Sequence, residues 1–111
     1  MWTLSPATRI FVATGPVDLR QSFNGLLGWV QKHLEVDPLS GHLFVFSNRR
    51  RDRLKVMFWD GSGLWCCAKR LEGGTFAWPE GDNISQSFRP EQLNALISGL
   101  PMVGERAWLR K

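Results

Sequence analysis

The sequence predicts an α+β domain: a mostly antiparallel sheet of four to six strands with two main helices packed on it. Three observations carry that expectation. Short runs rich in β-branched and aromatic residues recur between strong turn signals. Two other segments show the spacing of an amphipathic helix. The patterns follow the order β-α-β-β-β-β-(β)-α, and the helices are expected on one face of the sheet.

Arg9 to Thr14, RIFVAT, reads as the first strand and ends at Gly15-Pro16. Asp18 suits an N-cap, with Gln21 as its capping-box partner. Leu19, Phe23, Leu26, Leu27, Val30 and Leu34 then share one face of a helix from Leu19 to about Glu35. Asp37-Pro38 stops it, since proline disfavours helical geometry at the residue before it. His42 to Ser47 and Arg53 to Trp59 make a hairpin across Asn48–Asp52. With Phe46 opposite Leu54, residues Phe44, Phe46, Leu54, Val56 and Phe58 form one apolar face.

Asp60-Gly61-Ser62-Gly63 is a strong turn signal that returns the chain as Leu64 to Leu71. With Trp59 opposite Leu64, Trp65 and Cys67 join the buried face. Arg53, Lys55 and Arg70 then gather on the other, beside Met57 and Trp59. Glu72-Gly73-Gly74 leads into a strand from Thr75 to Trp78, and Ile84 to Phe88 reads as a last, weak strand. Pro90 opens a helix to about Ser98, with Leu93, Leu96 and Ile97 inward and Gly99 beyond its end. Residues 101–111 carry no pattern. One domain is expected over 1–111, its core at about 9–100 and its tail mobile.

Composition narrows the function classes. A hydrophobic fraction of 43% is too high for a disordered chain, and the six Trp and seven Phe suit the core of a small β-rich domain. No apolar run reaches the roughly 18 residues that cross a membrane. The opening MWTLSPATRIFVATG lacks the design of a signal peptide, so the expected compartment is cytoplasmic with no membrane partner. Cys66 and Cys67 are neighbours, which in a strand point to opposite faces and suit neither a mutual disulfide nor a shared metal. His33 and His42 show no zinc spacing with them, and no metal or other cofactor is expected.

Charge gives the sharpest functional signal. Between Arg49 and Lys55 stand five cations and one anion, a surplus equal to the whole chain's net charge of +4. Three readings stay open: a solvated turn with no partner, a phosphate-binding hairpin, and a docking site for an acidic protein surface. For nucleic acid the candidate residues are Arg49, Arg50, Arg51, Arg53 and Lys55, extended by Lys69 and Arg70, with Trp59 to stack a base. A catalytic constellation is not found. Asp18, Asp37, Asp52, Asp60 and Asp82 each fall where a cap or turn explains them. Gly61-Ser62-Gly63 lacks the third glycine and the helix of a phosphate loop. The expectation is no enzyme, with a small metal-dependent nuclease as the remote alternative.

At these residues the chain resembles a known family, the small accessory proteins, often labelled TnpB, of the insertion-sequence family numbered sixty-six. They are distinct from the RNA-guided nucleases of the same label. The matching elements include Val17-Asp18-Leu19-Arg20, Phe23-Asn24-Gly25-Leu26, Asp37-Pro38 and Asn48-Arg49-Arg50-Arg51-Asp52-Arg53 with Lys55. Trp59-Asp60-Gly61, Lys69-Arg70-Leu71-Glu72 and Trp78-Pro79 complete the set, in order over roughly Arg9 to Leu100. Cys66-Cys67-Ala68 departs from it, where larger residues usually stand. The resemblance implies a bacterial mobile-element protein encoded beside a separate transposase and needed for transposition. DNA and the element's transposase become the expected partners, and no catalytic residue can be carried over.

Overall fold

The computed structural model describes residues 7–99. Its elements in chain order are β1 (Ile10–Ala13), α1 (Phe23–His33), β2 (Leu43–Ser47), β3 (Arg53–Trp59), β4 (Leu64–Arg70), β5 (Ser85–Phe88) and α2 (Pro90–Ile97). The tail at 101–111 lies outside the described residues. One five-stranded sheet runs in the order β4-β3-β2-β1-β5. β1 and β2 are parallel neighbours joined through α1, and the other three pairs are antiparallel. The architecture is the expected α+β. No helix among the described residues is long and apolar enough to cross a membrane.

The helices do not share a face, which corrects the expected arrangement. Leu26 and Val30 of α1 pack with Phe11, Ala13, Phe44, Phe46 and Met57 on one side of the sheet. Leu93 and Leu96 of α2 pack with Ile10, Val12, Leu43, Val45, Leu54 and Val56 on the other. The cause is in the central strands. β1 (IFVA) and the LFVF of β2 are continuous apolar runs, and every residue of both strands is buried. A strand of that kind needs cover above and below.

The hairpin register also differs by one residue from the expected pairing. Ser47, not Phe46, stands opposite Leu54. Side chains alternate with period two, so the shift sends Phe44 and Phe46 to the α1 side and leaves Leu54, Val56 and Phe58 on the α2 side. Asn48 imposes this register. Its backbone N–H donates to Arg53 C=O at 3.3 Å, and its Oδ1 accepts from Arg53 N–H at 3.1 Å. Between β3 and β4 the expected pairing of Trp59 with Leu64 is the observed one. Asp60 holds that turn by accepting from Ser62 N–H and Gly63 N–H, while Gly61 takes φ +103°. Trp65 lies on the α2 side as expected, stacked on Phe58, but is 53% exposed and not buried.

Two further elements depart from expectation, while α2 keeps to it. Helix α1 starts at Phe23 after Ser22, four residues late, and Asp18 does not cap it. Residues 15–21 instead form a loop against the hairpin, where Val17 N–H donates to Ser47 C=O at 2.8 Å. Thr75 to Trp78 is no strand. It wraps the α2 side, with Phe76 N–H on Arg51 C=O at 2.7 Å and buried Trp78 Nε1 on Ala13 C=O at 2.8 Å. Helix α2 begins at Pro90, Gln92 Oε1 accepts from Arg89 N–H at 2.8 Å, and Gly99 takes the left-handed φ of +79° beyond its end.

Because the core has two halves, Leu26→Ala under α1 and Leu96→Ala under α2 are expected to be comparably damaging, each costing about 2–5 kcal/mol. Urea unfolding monitored by tryptophan fluorescence measures both. A neutral Leu96→Ala would contradict a core on the α2 side.

Candidate functional site

The hairpin tip is built by Asn48–Asp52. Arg51 N–H donates to Asn48 C=O at 3.2 Å, and Asn48 Nδ2 donates to Asp52 Oδ1 at 2.7 Å. Arg51 itself sits at φ +60°, a left-handed conformation that costs a non-glycine residue about 1 kcal/mol. Its side chain supplies the compensation. The guanidinium turns inward over the Trp78 ring, 5.3 Å from the centroid, and Nη2 donates to Thr14 C=O at 2.8 Å. Nη1 is buried with no hydrogen-bond partner among the described residues. Burial lowers the Arg51 pKa and nearby Glu80 opposes that shift. Arg51 therefore braces the turn from within, whereas Arg49 and Arg50 stand exposed at the tip.

Beside the tip lies an open cleft of about 1130 Å³ between the 15–21 loop and the ends of β3 and β4. Lys55 ties its two walls, donating from Nζ to Leu19 C=O at 2.6 Å. Among the described residues, seven cations line the cleft, Arg20, Arg49, Arg50, Arg53, Lys55, Lys69 and Arg70, against three carboxylates, Asp18, Asp52 and Glu72. Asp18 is engaged with Arg20 at 3.0 Å, and Glu72 with Arg70 at 3.2 Å. Hydrogen bonds from the Arg20 guanidinium and backbone N–H hold the Asp18 carboxyl at about 2. Asp52 is also held low, first by the Asn48 amide and then by the charges of Arg50 and Arg53. Arg49, Arg50 and Arg53 form no salt bridge among the described residues.

The strand register concentrates this charge. Arg53 stands directly opposite Arg70. Leu71 N–H donates to Asp52 C=O and Asp60 N–H to Gly63 C=O, so the alternate pairs, Arg53 with Arg70 included, are not hydrogen-bonded to each other. Such pairs bring their Cα atoms to about 4.5 Å, and like charges there repel. An exposed bridge such as Arg70–Glu72 offsets little of that.

The remaining candidates are placed differently. Trp59 is half-buried on the Lys55 side of the sheet, but four residues along β3, about 13 Å away and outside the cleft. Lys69 belongs to the opposite side, where Nζ donates to Ile97 C=O at 2.8 Å, close to the end of α2 that attracts cations. It reaches the cleft only at the rim. Arg20 also lines the cleft, although the residue spacing around it reads as helix and gives it no place among the candidates. Its signal was Asp18 two residues earlier, whose Oδ1 accepts Arg20 N–H at 3.0 Å in an Asx-turn that ends regular structure. Among the described residues, no three of His, Cys, Asp and Glu converge as a metal site would need.

The double duty of Arg51 is testable. Arg51→Ala keeps the left-handed backbone and loses the brace, and is expected to cost about 1–3 kcal/mol. Arg51→Gly removes the strain as well and should be about 1 kcal/mol less damaging than Arg51→Ala. Urea midpoints at unchanged slope read the difference. A neutral Arg51→Ala would contradict the brace.

Residues 8–107 match the family described as IS66 Orf2 like protein. Two proteins of Sinorhizobium fredii are similar, both described only as uncharacterized. One, y4jC, is 43% identical over 96 residues, covering 86% of this chain and 82% of its own. The other, y4hO, is 41% identical over 92 residues, covering 83% of this chain and 80% of its own. No solved structure matches. On the span of these matches the chain belongs to the IS66 Orf2-like proteins, the accessory proteins of insertion-sequence transposition.

Proposed function

We propose that this accessory protein acts without catalysis, binding the phosphate backbone of element DNA, alone or held by the transposase, in the cationic cleft. The observation that carries the reading is the Arg53–Arg70 pair: two guanidinium groups opposed on one face, beside Arg49 and Arg50, which have no ion-pair partner among the described residues. A phosphate between such groups replaces repulsion with charge-assisted hydrogen bonds. Contacts of this type position a protein on DNA without reading sequence. Arg20 and Lys55 extend the wall, Lys69 contributes at the rim, and Arg51 acts through the turn it braces.

A second reading shares the site. Pro16, Val17, Leu19 and Ala68 also line the cleft, apolar surface that a phosphate backbone does not use and an acidic segment of the transposase would. Co-purification with the transposase that survives nuclease treatment favours that partner.

Replacing Arg49, Arg50 and Arg53 together with Ala should lower DNA affinity for all sequences alike. The slope of log affinity against log salt should fall by about 3, since each phosphate contact contributes about 0.9. Arg89→Ala, whose side chain pairs with Glu91 outside the cleft, should change neither. Gel shifts with duplex and single-stranded element ends at two salt concentrations measure this. An unchanged slope in the triple variant, or no binding by the parent at low salt, would overturn the proposal. No histidine lines the cleft, so affinity should also be flat between about pH 6 and 8.

A further inference from the structure

The sheet ends in two edge strands, β4 and β5. β5 is only four residues long, with Pro90 two positions beyond it, whereas β4 pairs with β3 over seven consecutive residues without bulge or proline. The hydrogen bonds from Leu71 N–H to Asp52 and from Asp60 N–H to Gly63 fix which backbone groups β3 uses. Those of Trp65, Cys67 and Lys69 face β3. Those of Leu64, Cys66, Ala68 and Arg70 face outward, and no partner accepts or donates to them among the described residues. A row of free groups along a straight strand is a template for another strand.

We propose that β4 pairs antiparallel with β4 of a second copy about a two-fold axis at Cys67, which makes one ten-stranded sheet. This register alone sets all four outward-facing residues of each strand against outward-facing residues of the other. Leu64 then meets Arg70 of the other copy, and Cys66 meets Ala68. Moving the register by two residues either way leaves one of the four unmatched in each strand. Small side chains occupy the centre, Cys66, Cys67 and Ala68, so nothing bulky holds the strands apart. On the α2 side, Trp65, at 53% exposure, comes opposite Lys69 of the other copy, whose methylene stem covers the indole while its Nζ keeps Ile97 C=O. The like charges stay apart. Six residues separate one Arg70 from the position of the other, about 20 Å along the strands. A two-fold axis normal to the sheet also keeps both cationic clefts on the same side. The pairing holds whether or not the cleft takes DNA.

The full chain without DNA provides the test. Sedimentation equilibrium should show a concentration-dependent rise toward twice the 12.7 kDa of one chain. In a Cys66→Ser variant the two Cys67 thiols face each other in a non-hydrogen-bonded pair, the closer kind. Diamide, which takes up the two thiol hydrogens as the S–S bond forms, should then yield a reducible dimer on a gel. A Cys67→Ser variant keeps Cys66 opposite Ala68 and should yield none. Ala68→Pro removes one outward N–H that β3 does not use. It should retain the thermal midpoint while abolishing both the mass increase and the Cys67 cross-link. A mass of one chain at every concentration, or a Cys66 cross-link as efficient as that of Cys67, would overturn the proposal.

Discussion

Asn48 closes the β2–β3 loop from both sides, donating to Arg53 C=O and accepting from Arg53 N–H, and that closure decides where every hairpin side chain points. A slip of one residue would turn Lys55 and Arg53 toward α2 and Leu54 and Val56 toward the cleft. The register stands because two demands agree on it. Leu54, Val56 and Phe58 meet the α2 half of the core, while Phe44, Phe46 and Met57 meet the α1 half. Fully burying a side chain of this size contributes roughly 1.5–3 kcal/mol, so a slipped hairpin forfeits several such contributions together. The left-handed turn at Arg51 is small against that sum, and its guanidinium on Trp78 and Thr14 offsets it locally.

Electrostatics follows from the neighbouring register, which the Asp60 turn sets between β3 and β4 and which opposes Arg53 and Arg70. The two point to the cleft side because Leu54 and Lys69 at the next pair belong to the α2 side. The protein's own carboxylates compensate unevenly. Asp18 and Glu72 serve Arg20 and Arg70, and Asp52 is bound to the turn through Asn48. Arg49 and Arg50 keep their charge facing solvent. A fold that places unpaired guanidinium groups around an open cleft is better matched to a polyanion than to a neutral ligand. The same signature residues, Asn48 to Arg53, thus serve the fold through Asn48 and Arg51 and the surface through Arg49, Arg50 and Arg53.

Much of this was legible in the residues. The β3 strand, the Asp60–Gly63 turn and the pairing of Trp59 with Leu64 follow from local turn chemistry, which acts over a few residues. The family was legible too, because its signatures are contiguous. What was not legible depends on distant partners. Leu19 and Asp18 read as a helix start because their spacing fits one, but Ser47 and Lys55 hold that stretch as a loop. Phe76 and Trp78 alternate like a strand, yet their partners are Arg51 and Ala13 rather than a neighbouring strand. The burial of β1 and β2 on both faces was visible as continuous apolar runs, and reading the alternation of β3 onto them placed the helices together. Within the cleft, charge marked the cluster but not the direction of each side chain. Arg51 turns in and Arg20 joins, and neither outcome has a local signature beyond the Asx-turn at Asp18.

The most direct measurement observes each arginine side chain separately. In a ¹⁵N-labelled chain titrated with a short DNA duplex, the Nε–Hε signals of Arg49, Arg50, Arg53 and Arg70 should shift together. The signal of Arg51, held between Trp78 and Thr14, should stay in place. Shifts confined to arginines outside the cleft, or an Arg51 signal that moves as far as its neighbours at the tip, would contradict a cationic cleft braced from within.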